Sequence, residues 1–322
     1  VDVPLDIEFA MDKDEAIHLL QTRRICSTKN WPEMVEDNVH KRIQFMETFV
    51  EQILGPRHGL FGRRSMLGVM PDWNPAEMIG IAPRPLAASL YRCLITKRTW
   101  SLAREKMGYM RLPPVELMLS VAGRPYIDIR ASFNSFLPDG LSPILCERLV
   151  NAWVDRLDAH PGFHDKIEFD IVHTVADPDF PSSFRERFPG LLSPSEFGEY
   201  HSALLGITIS AVSLDGSLGK AMRDLDALSD IQKEELPERA AFMPAATAFD
   251  LVLMTGKALE ECRNLGTMPC ALIARNAFIA ESLLRSMVRA GALGKGRWDT
   301  DKQRLHNVTK HVRRATPGAR QH

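Results

Sequence analysis

The sequence lacks net charge: 40 Lys and Arg stand against 41 Asp and Glu in 322 residues. No global field therefore draws the chain toward nucleic acid or an anionic membrane, and any anion site has to be local. Cysteine is scarce, with only Cys26, Cys93, Cys146, Cys262 and Cys270. The odd count and the absence of a C-x-x-C pair argue against a disulfide framework and fit a reducing compartment. No basic-apolar-small leader opens the chain. No uninterrupted apolar run reaches the roughly 18 to 20 residues a membrane span requires. These absences predict a soluble, cytoplasmic protein. There is no internal repeat, no low-complexity tract, and no G-x-S-x-G, Walker A or H-E-x-x-H motif. What is present is 45% hydrophobic residues, ample for the cores of two ordinary domains.

The fold class these patterns predict is α+β. Residues 5–23 read as a β-hairpin, with Ile7, Phe9 and Met11 alternating against Asp6, Glu8 and Ala10, a turn in 12–15 and a return strand over 16–23. The chain enters this strand abruptly at Val1, as if cut from something larger. A helical period runs over 33–54 and ends at Gly55-Pro56. A short strand is expected in 65–70. Asn74-Pro75-Ala76-Glu77 combines an N-cap, a Pro at N1 and a Glu at N3, and Gly80 ends that turn. Pro85 opens a longer helix reaching about Lys106, with Leu86, Leu90, Tyr91, Leu94 and Ile95 as its stripe.

Between 115 and 136 the period becomes two. Ile127, Ile129, Ala131 and Phe133 face one way, and Tyr126, Asp128, Arg130, Ser132 and Asn134 the other. Residues 166–173 repeat the alternation, so the two strands are expected to pair in a small mixed sheet, with a helix over 143–159 between them. Helical patterns then cover 195–212, 218–228, 245–262 and 269–290, followed by a basic tail over 299–322. This divides the chain into a hairpin region (1–30), an α+β middle (31–190) and a helical layer or bundle (191–322).

Three residues carry the first candidate site. Gln21 and Arg23, two apart, share a strand face, and hairpin pairing brings Glu8 beside them. A carboxylate that binds a hard cation, with an amide and a guanidinium that grips phosphate oxygens, suits a Mg-nucleotide. Spacing alone equally describes a solvated cross-strand ion pair, the commoner arrangement. Arg84, before the helix opened by Pro85, and Arg130, beside Asp128, Ser132 and Asn134, form a candidate anion site, against the alternatives of simple ion pairs and a capping box at Asn74 and Glu77. His160 and His164 flank Pro161-Gly162-Phe163 and read as a loop, and Asp177-Pro178-Asp179 reads as a turn.

The string Asp6-Ile7-Glu8-Phe9 followed by Leu20-Gln21-Thr22-Arg23 resembles the closing hairpin of the ATP-grasp domain in phosphoenolpyruvate synthases and pyruvate phosphate dikinases. The resemblance implies that Glu8 holds the metal-nucleotide and that Gln21 and Arg23 line the phosphate-transfer site, with Arg23 catalytic and ATP and Mg as cofactors. It covers about the first 25 residues, and Arg24 stands where family members often have Pro or Asn. A second set of segments, 71–86, 125–130 and 133–136, is similar to the region after that domain in a branch of the same family. The family passes phosphate from ATP to a histidine and then to pyruvate or another acceptor. This sequence lacks the glycine-rich front half of the nucleotide domain and a T-x-x-S-H-A loop. The expected function is a fragment or split subunit of such a phosphotransferase, inactive alone and partnered by the missing domains. The alternative is a non-catalytic binding or scaffold module derived from that family.

Overall fold

The computed structural model describes residues 5–24, 36–69, 71–213, 216–235 and 246–294. The expected basic tail, Cys26 and the first residues of the helix predicted from 33 lie outside the described residues. Contacts divide the chain into two units, residues 1–49 and 50–322, which are described separately.

In the first unit, strands β1 (Leu5–Met11) and β2 (Ile17–Arg24) form the expected antiparallel hairpin. Asp12 builds its turn: one carboxylate oxygen accepts from the amides of Asp14 and Ala16 at 2.9 and 3.0 Å, and the other meets His18 Nε2 at 2.8 Å. The His18 contact, then those amides, hold the Asp12 carboxyl below the usual range. The pairing register shifts between Glu8 and Phe9, so that Glu8 faces Gln21 while Phe9 faces Leu19. Leu20 is the extra residue of a bulge. Helix α1 (Glu36–Leu54) begins in this unit and ends in the next.

The second unit holds a three-stranded sheet, β3 (Leu67–Gly68), β5 (Arg124–Asp128) and β4 (Met118–Val121) in that order, antiparallel throughout. Ala122 and Gly123, both at positive φ, make the two-residue β4–β5 turn. Helices α2 (Pro75–Ile79) and α3 (Pro85–Tyr91) start at the predicted prolines, and the Asn74 side chain caps α2 by accepting from the Glu77 amide. The helix expected to run to Lys106 is broken. A wide turn over Arg92–Thr96 separates α3 from α4 (Thr99–Glu105), because the Leu117 amide takes the Thr96 carbonyl at 3.1 Å and interrupts the helical ladder.

Two further expectations are corrected. The strand predicted through 136 stops at Asp128, and α5 (Ile129–Asn134) follows. Residues 167–171 form a single wide helical turn closed by Val172 N to Ile167 O, not a strand, and pair with nothing in the sheet. In both places apolar residues two apart are also four apart, and the helical reading wins because Ile129 with Phe133, and Ile167 with Ile171, are buried as i,i+4 pairs.

Helix α6 (Pro143–Ala159) has its predicted bounds and centres the larger core through Leu145, Leu149, Trp153 and Leu157. Trp153 meets Phe133 of α5 edge to face at 6.1 Å. Each such fully buried side chain contributes about 1.5–3 kcal/mol. Helix α7 (Phe180–Arg187) adds Phe180 and Phe184 to that core. The helical C-terminal half comprises α8 (Pro194–Val212), α9 (Ser217–Asp230), α10 (Ala248–Glu261) and α11 (Met268–Arg289). A smaller core joins α8, α9 and α11 through Ile207, Ala221, Leu272 and Ile279. No single described helix is long and apolar enough to cross a membrane.

Candidate functional site

The hairpin assembles the first predicted constellation. Arg23 Nη2 donates to Glu8 Oε1 at 2.9 Å and to Gln21 Oε1 at 3.0 Å, and Asp6 is the strand partner of Arg23. The bulge makes this possible. In a regular strand Ile17, Leu19, Gln21 and Arg23 would all share one face. The extra residue switches parity, so Ile17 and Leu19 pair with Met11 and Phe9 while Gln21 and Arg23 pair with Glu8 and Asp6. One face carries Asp6, Glu8, Gln21 and Arg23, and the other Ile7, Phe9, Met11, Ile17 and Leu19. Both are open: Leu5, Ile7, Phe9, Met11, Ile17, Leu19 and Leu20 are each 50–69% exposed. Glu8 and Arg23 are themselves more than half exposed.

The second predicted constellation is put to a different use. Asp128 ends β5 and caps α5, whereas Arg130, Ser132 and Asn134 lie on α5 and not on a strand face, and all four are buried. The Arg130 guanidinium donates to the carbonyls of Gly55 (2.6 Å), Ile53 (3.3 Å) and Gly62 (3.4 Å). It closes the C-terminal end of α1, where carbonyls lack helical partners. Burial, above all, lowers its pKa. Asn134 bonds both the amide and the carbonyl of Phe61, and Asp128 accepts from Ser65 Oγ and the Ala131 amide. Together they clamp the 55–66 loop onto α5. Gly62 sits at φ +102° within this clamp, where a Cβ would come within 2.7 Å of Val150. Arg84 is exposed at the start of the seven-residue α3, and its side chain makes no capping bond. The guanidinium of Arg130 is not presented at the surface where Arg84 stands.

The other candidates keep their plain roles. His160 ends α6 with its ring 5.4 Å from Phe163, and Asp177 accepts from the Asp179 amide in a turn. Among the described residues, no group of three or more His, Cys, Asp or Glu side chains is placed to hold a metal ion. A metal at Glu8 would need further ligands.

A third constellation escaped the sequence reading. Arg104 of α4 donates to Asp72 at 3.1 Å and lies 3.8 Å from Glu168, which accepts from Arg275 of α11 at 2.8 Å. Ser132 donates to the other Asp72 oxygen at 2.9 Å, and Arg275 also donates to the Thr174 carbonyl at 2.9 Å. The side chains of Asp72, Arg104, Glu168 and Arg275 are at most 17% exposed. Burial opposes the charge on Arg275, but Glu168 and Tyr109 outweigh it and raise its pKa. The Arg104 guanidinium stacks on the Phe136 ring at 3.6 Å. This network walls a cavity of about 190 Å³ together with Trp73, Trp100, Phe169 and Phe278. Arg275, one turn from Leu272 and Ile279 inside the apolar stripe of its helix, was the available signal.

No protein-family model matches the chain, and neither a curated protein nor a solved structure matches it.

Proposed function

We propose that residues 5–24 are one edge of a Mg-ATP site in a phosphoenolpyruvate-synthase-like phosphotransferase, which carries phosphate from ATP to a histidine and on to pyruvate or another acceptor. The remainder of the nucleotide domain and the phosphohistidine domain are supplied in cis or in trans. The observation that supports this reading is the Arg23 guanidinium held between Glu8 and Gln21 on one polar hairpin face. The three groups suit the ligand: a carboxylate for a hard cation, a guanidinium for phosphate oxygens, and an amide on the guanidinium's other side. Bound Mg-ATP supplies the transferable phosphoryl group. In an assembled site Glu8 would hold the cation and the Arg23 guanidinium would take the phosphate charge.

Mixing this chain with a separately expressed ATP-grasp front half and a phosphohistidine domain tests the proposal. ATP-dependent labelling of the histidine should require the chain, and Glu8→Gln or Arg23→Ala should lower it by roughly 10²-fold or more, the usual loss on removing one charge-stabilising group. Labelling that is the same with and without the chain would reject it. One observation favours a second reading, a non-catalytic binding module: Arg23 already forms a cross-strand ion pair with Glu8 and a hydrogen bond to Gln21 beside it. On that reading the chain binds a partner in the same mixture, and Glu8→Gln leaves labelling unchanged.

A further inference from the structure

A second cavity, of about 280 Å³, lies between α4 and residues 111–115. Its origin is the break before α4. Lys97 and Arg98 occupy that break, and Arg98, Ser101, Leu102 and Glu105 follow at i, i+3, i+4 and i+7, so a single face of α4 lines the space. Trp100, Ala103, Arg104 and Met107, which line the 190 Å³ cavity, take the opposite face of the same helix. The facing wall is Arg111-Leu112-Pro113-Pro114-Val115. Two consecutive prolines fix φ there. Val115 is buried, and Pro113 lies so close to Gly59 that a Cβ on that glycine would come to 3.0 Å from the proline ring. The wall is therefore already in place before a ligand arrives.

The charges lining this cavity do not cancel. Lys97, Arg98 and Arg111 stand against Glu105 alone, a surplus of two positive charges. Arg111 Nε lies 3.8 Å from Glu105, whereas Lys97 and Arg98 form no ion pair among the described residues. Both are exposed, so a ligand entering from solvent can reach them. Around the 190 Å³ cavity, by contrast, Asp72, Asp165 and Glu168 balance Arg104, Lys166 and Arg275. In a chain of net charge −1, a concave surface with two uncompensated cations is a local positive field. The low-dielectric walls of Leu102, Leu112 and Pro113 concentrate it, which a flat solvated surface does not do. A surplus of two matches a dianion. Arginine offers a fork for two oxygens and lysine a point charge, the pair of donors that suits a phosphate group. Size sets the rest of the ligand. A cavity of about 150 Å³ takes up benzene, so 280 Å³ has room for a six-membered ring bearing a phosphate.

We propose that this cavity binds a small phosphate monoester, its dianionic phosphate on Lys97 and Arg98 and its organic part against Leu102, Leu112 and Pro113. Mg-ATP is not its ligand, because the nucleotide is larger than the space and the cation already holds its terminal phosphates. The inference is independent of the nucleotide reading, since every residue in it lies in the second unit.

Saturation-transfer NMR of phenyl phosphate with the full chain is the test, with phenyl sulfate and phenol as monoanionic and neutral probes of similar shape. Phenyl phosphate should bind at millimolar concentration, at least about 5-fold more tightly than phenyl sulfate, and phenol should give no signal. Affinity should fall several-fold between pH 7.5 and 5, as the phosphate takes up its second proton near pH 6. Lys97→Met and Arg98→Met, both at exposed positions, should each weaken binding about 5-fold without lowering the melting temperature, and the double variant should abolish it. Arg223→Met, which removes an exposed cation of α9 outside the cavity, should leave binding unchanged, and Mg-ATP should not displace the probe. Absence of phenyl phosphate binding would overturn the proposal. So would equal binding of phenyl sulfate or phenol, displacement by Mg-ATP, binding that survives in the folded double variant, or an equal loss in Arg223→Met.

Discussion

At the residue scale, Arg130 and His173 illustrate what burial does to a polar side chain. Arg130 replaces water for three carbonyls at the end of α1 and its loop. Arg130→Met keeps most of the volume but removes the donor from those three carbonyls, which are partly or fully buried. It should destabilise by about 3 kcal/mol in urea unfolding, since a charged hydrogen-bond donor contributes roughly 1.5–3 and each orphaned carbonyl costs more. Arg84→Ala, at an exposed site, should fall within about 0.5 kcal/mol. His173 sits among Phe180, Phe184 and Phe188, with Nε2 2.9 Å from Ser183 Oγ. Burial first, then Arg187 and Arg156, drive its pKa well below the ordinary value. The folded chain thus keeps His173 neutral while the unfolded chain takes a proton below about pH 6.5. Stability should therefore fall as pH drops through that value, by up to about 1.4 kcal/mol per pH unit from this group. His173→Phe should flatten the slope between pH 7 and 5.5. An identical slope in the variant would mean that other groups set it.

At the element scale, what the sequence revealed depended on whether a local signal decided the matter. Helices α2 and α6 were legible because Asn74, Pro75 and Pro143 fix helix starts through backbone geometry that tertiary packing does not alter. The Glu8, Gln21 and Arg23 cluster was legible because strand pairing is local, although the Leu20 bulge that aligns it was not. The α5 site was misread because alternating polarity was taken for alternating exposure, whereas Arg130 and Asn134 are polar residues facing a buried loop. The Asp72, Arg104, Glu168 and Arg275 network was missed because its members come from four separate segments and only Arg275, inside an apolar helix stripe, signals it locally. The hairpin, exposed on both faces, carries its own prediction, since an isolated pair of strands is marginal in water. Amides of β1 and β2 should exchange with deuterium early, well before those of α6. Protection of the hairpin equal to that of α6 in the purified chain would show that something covers it.

At the scale of the whole molecule, the two units present opposite kinds of chemistry. Unit two buries Arg130 and Arg275 and holds an open cavity, while unit one leaves Glu8, Gln21 and Arg23 exposed to water. Electrostatic stabilisation of a transferring phosphate is strong only where water is excluded, and Glu8 and Arg23 are more than half exposed. A nucleotide on this face alone would be screened and held from one side. The purified chain is accordingly expected to show no ATP hydrolysis and no pyruvate-dependent AMP formation above background. Millimolar Mg-ATP should also leave its thermal unfolding unchanged, because a ligand raises the melting temperature only in proportion to its affinity for the folded state. Trp100 and Trp153, both buried in unit two, report that transition by fluorescence. Sustained turnover by the purified chain, lost in Glu8→Gln, would show that the hairpin works without a nucleotide domain around it. A melting shift with Mg-ATP that survives both Glu8→Gln and Arg23→Ala would instead move the nucleotide site into unit two.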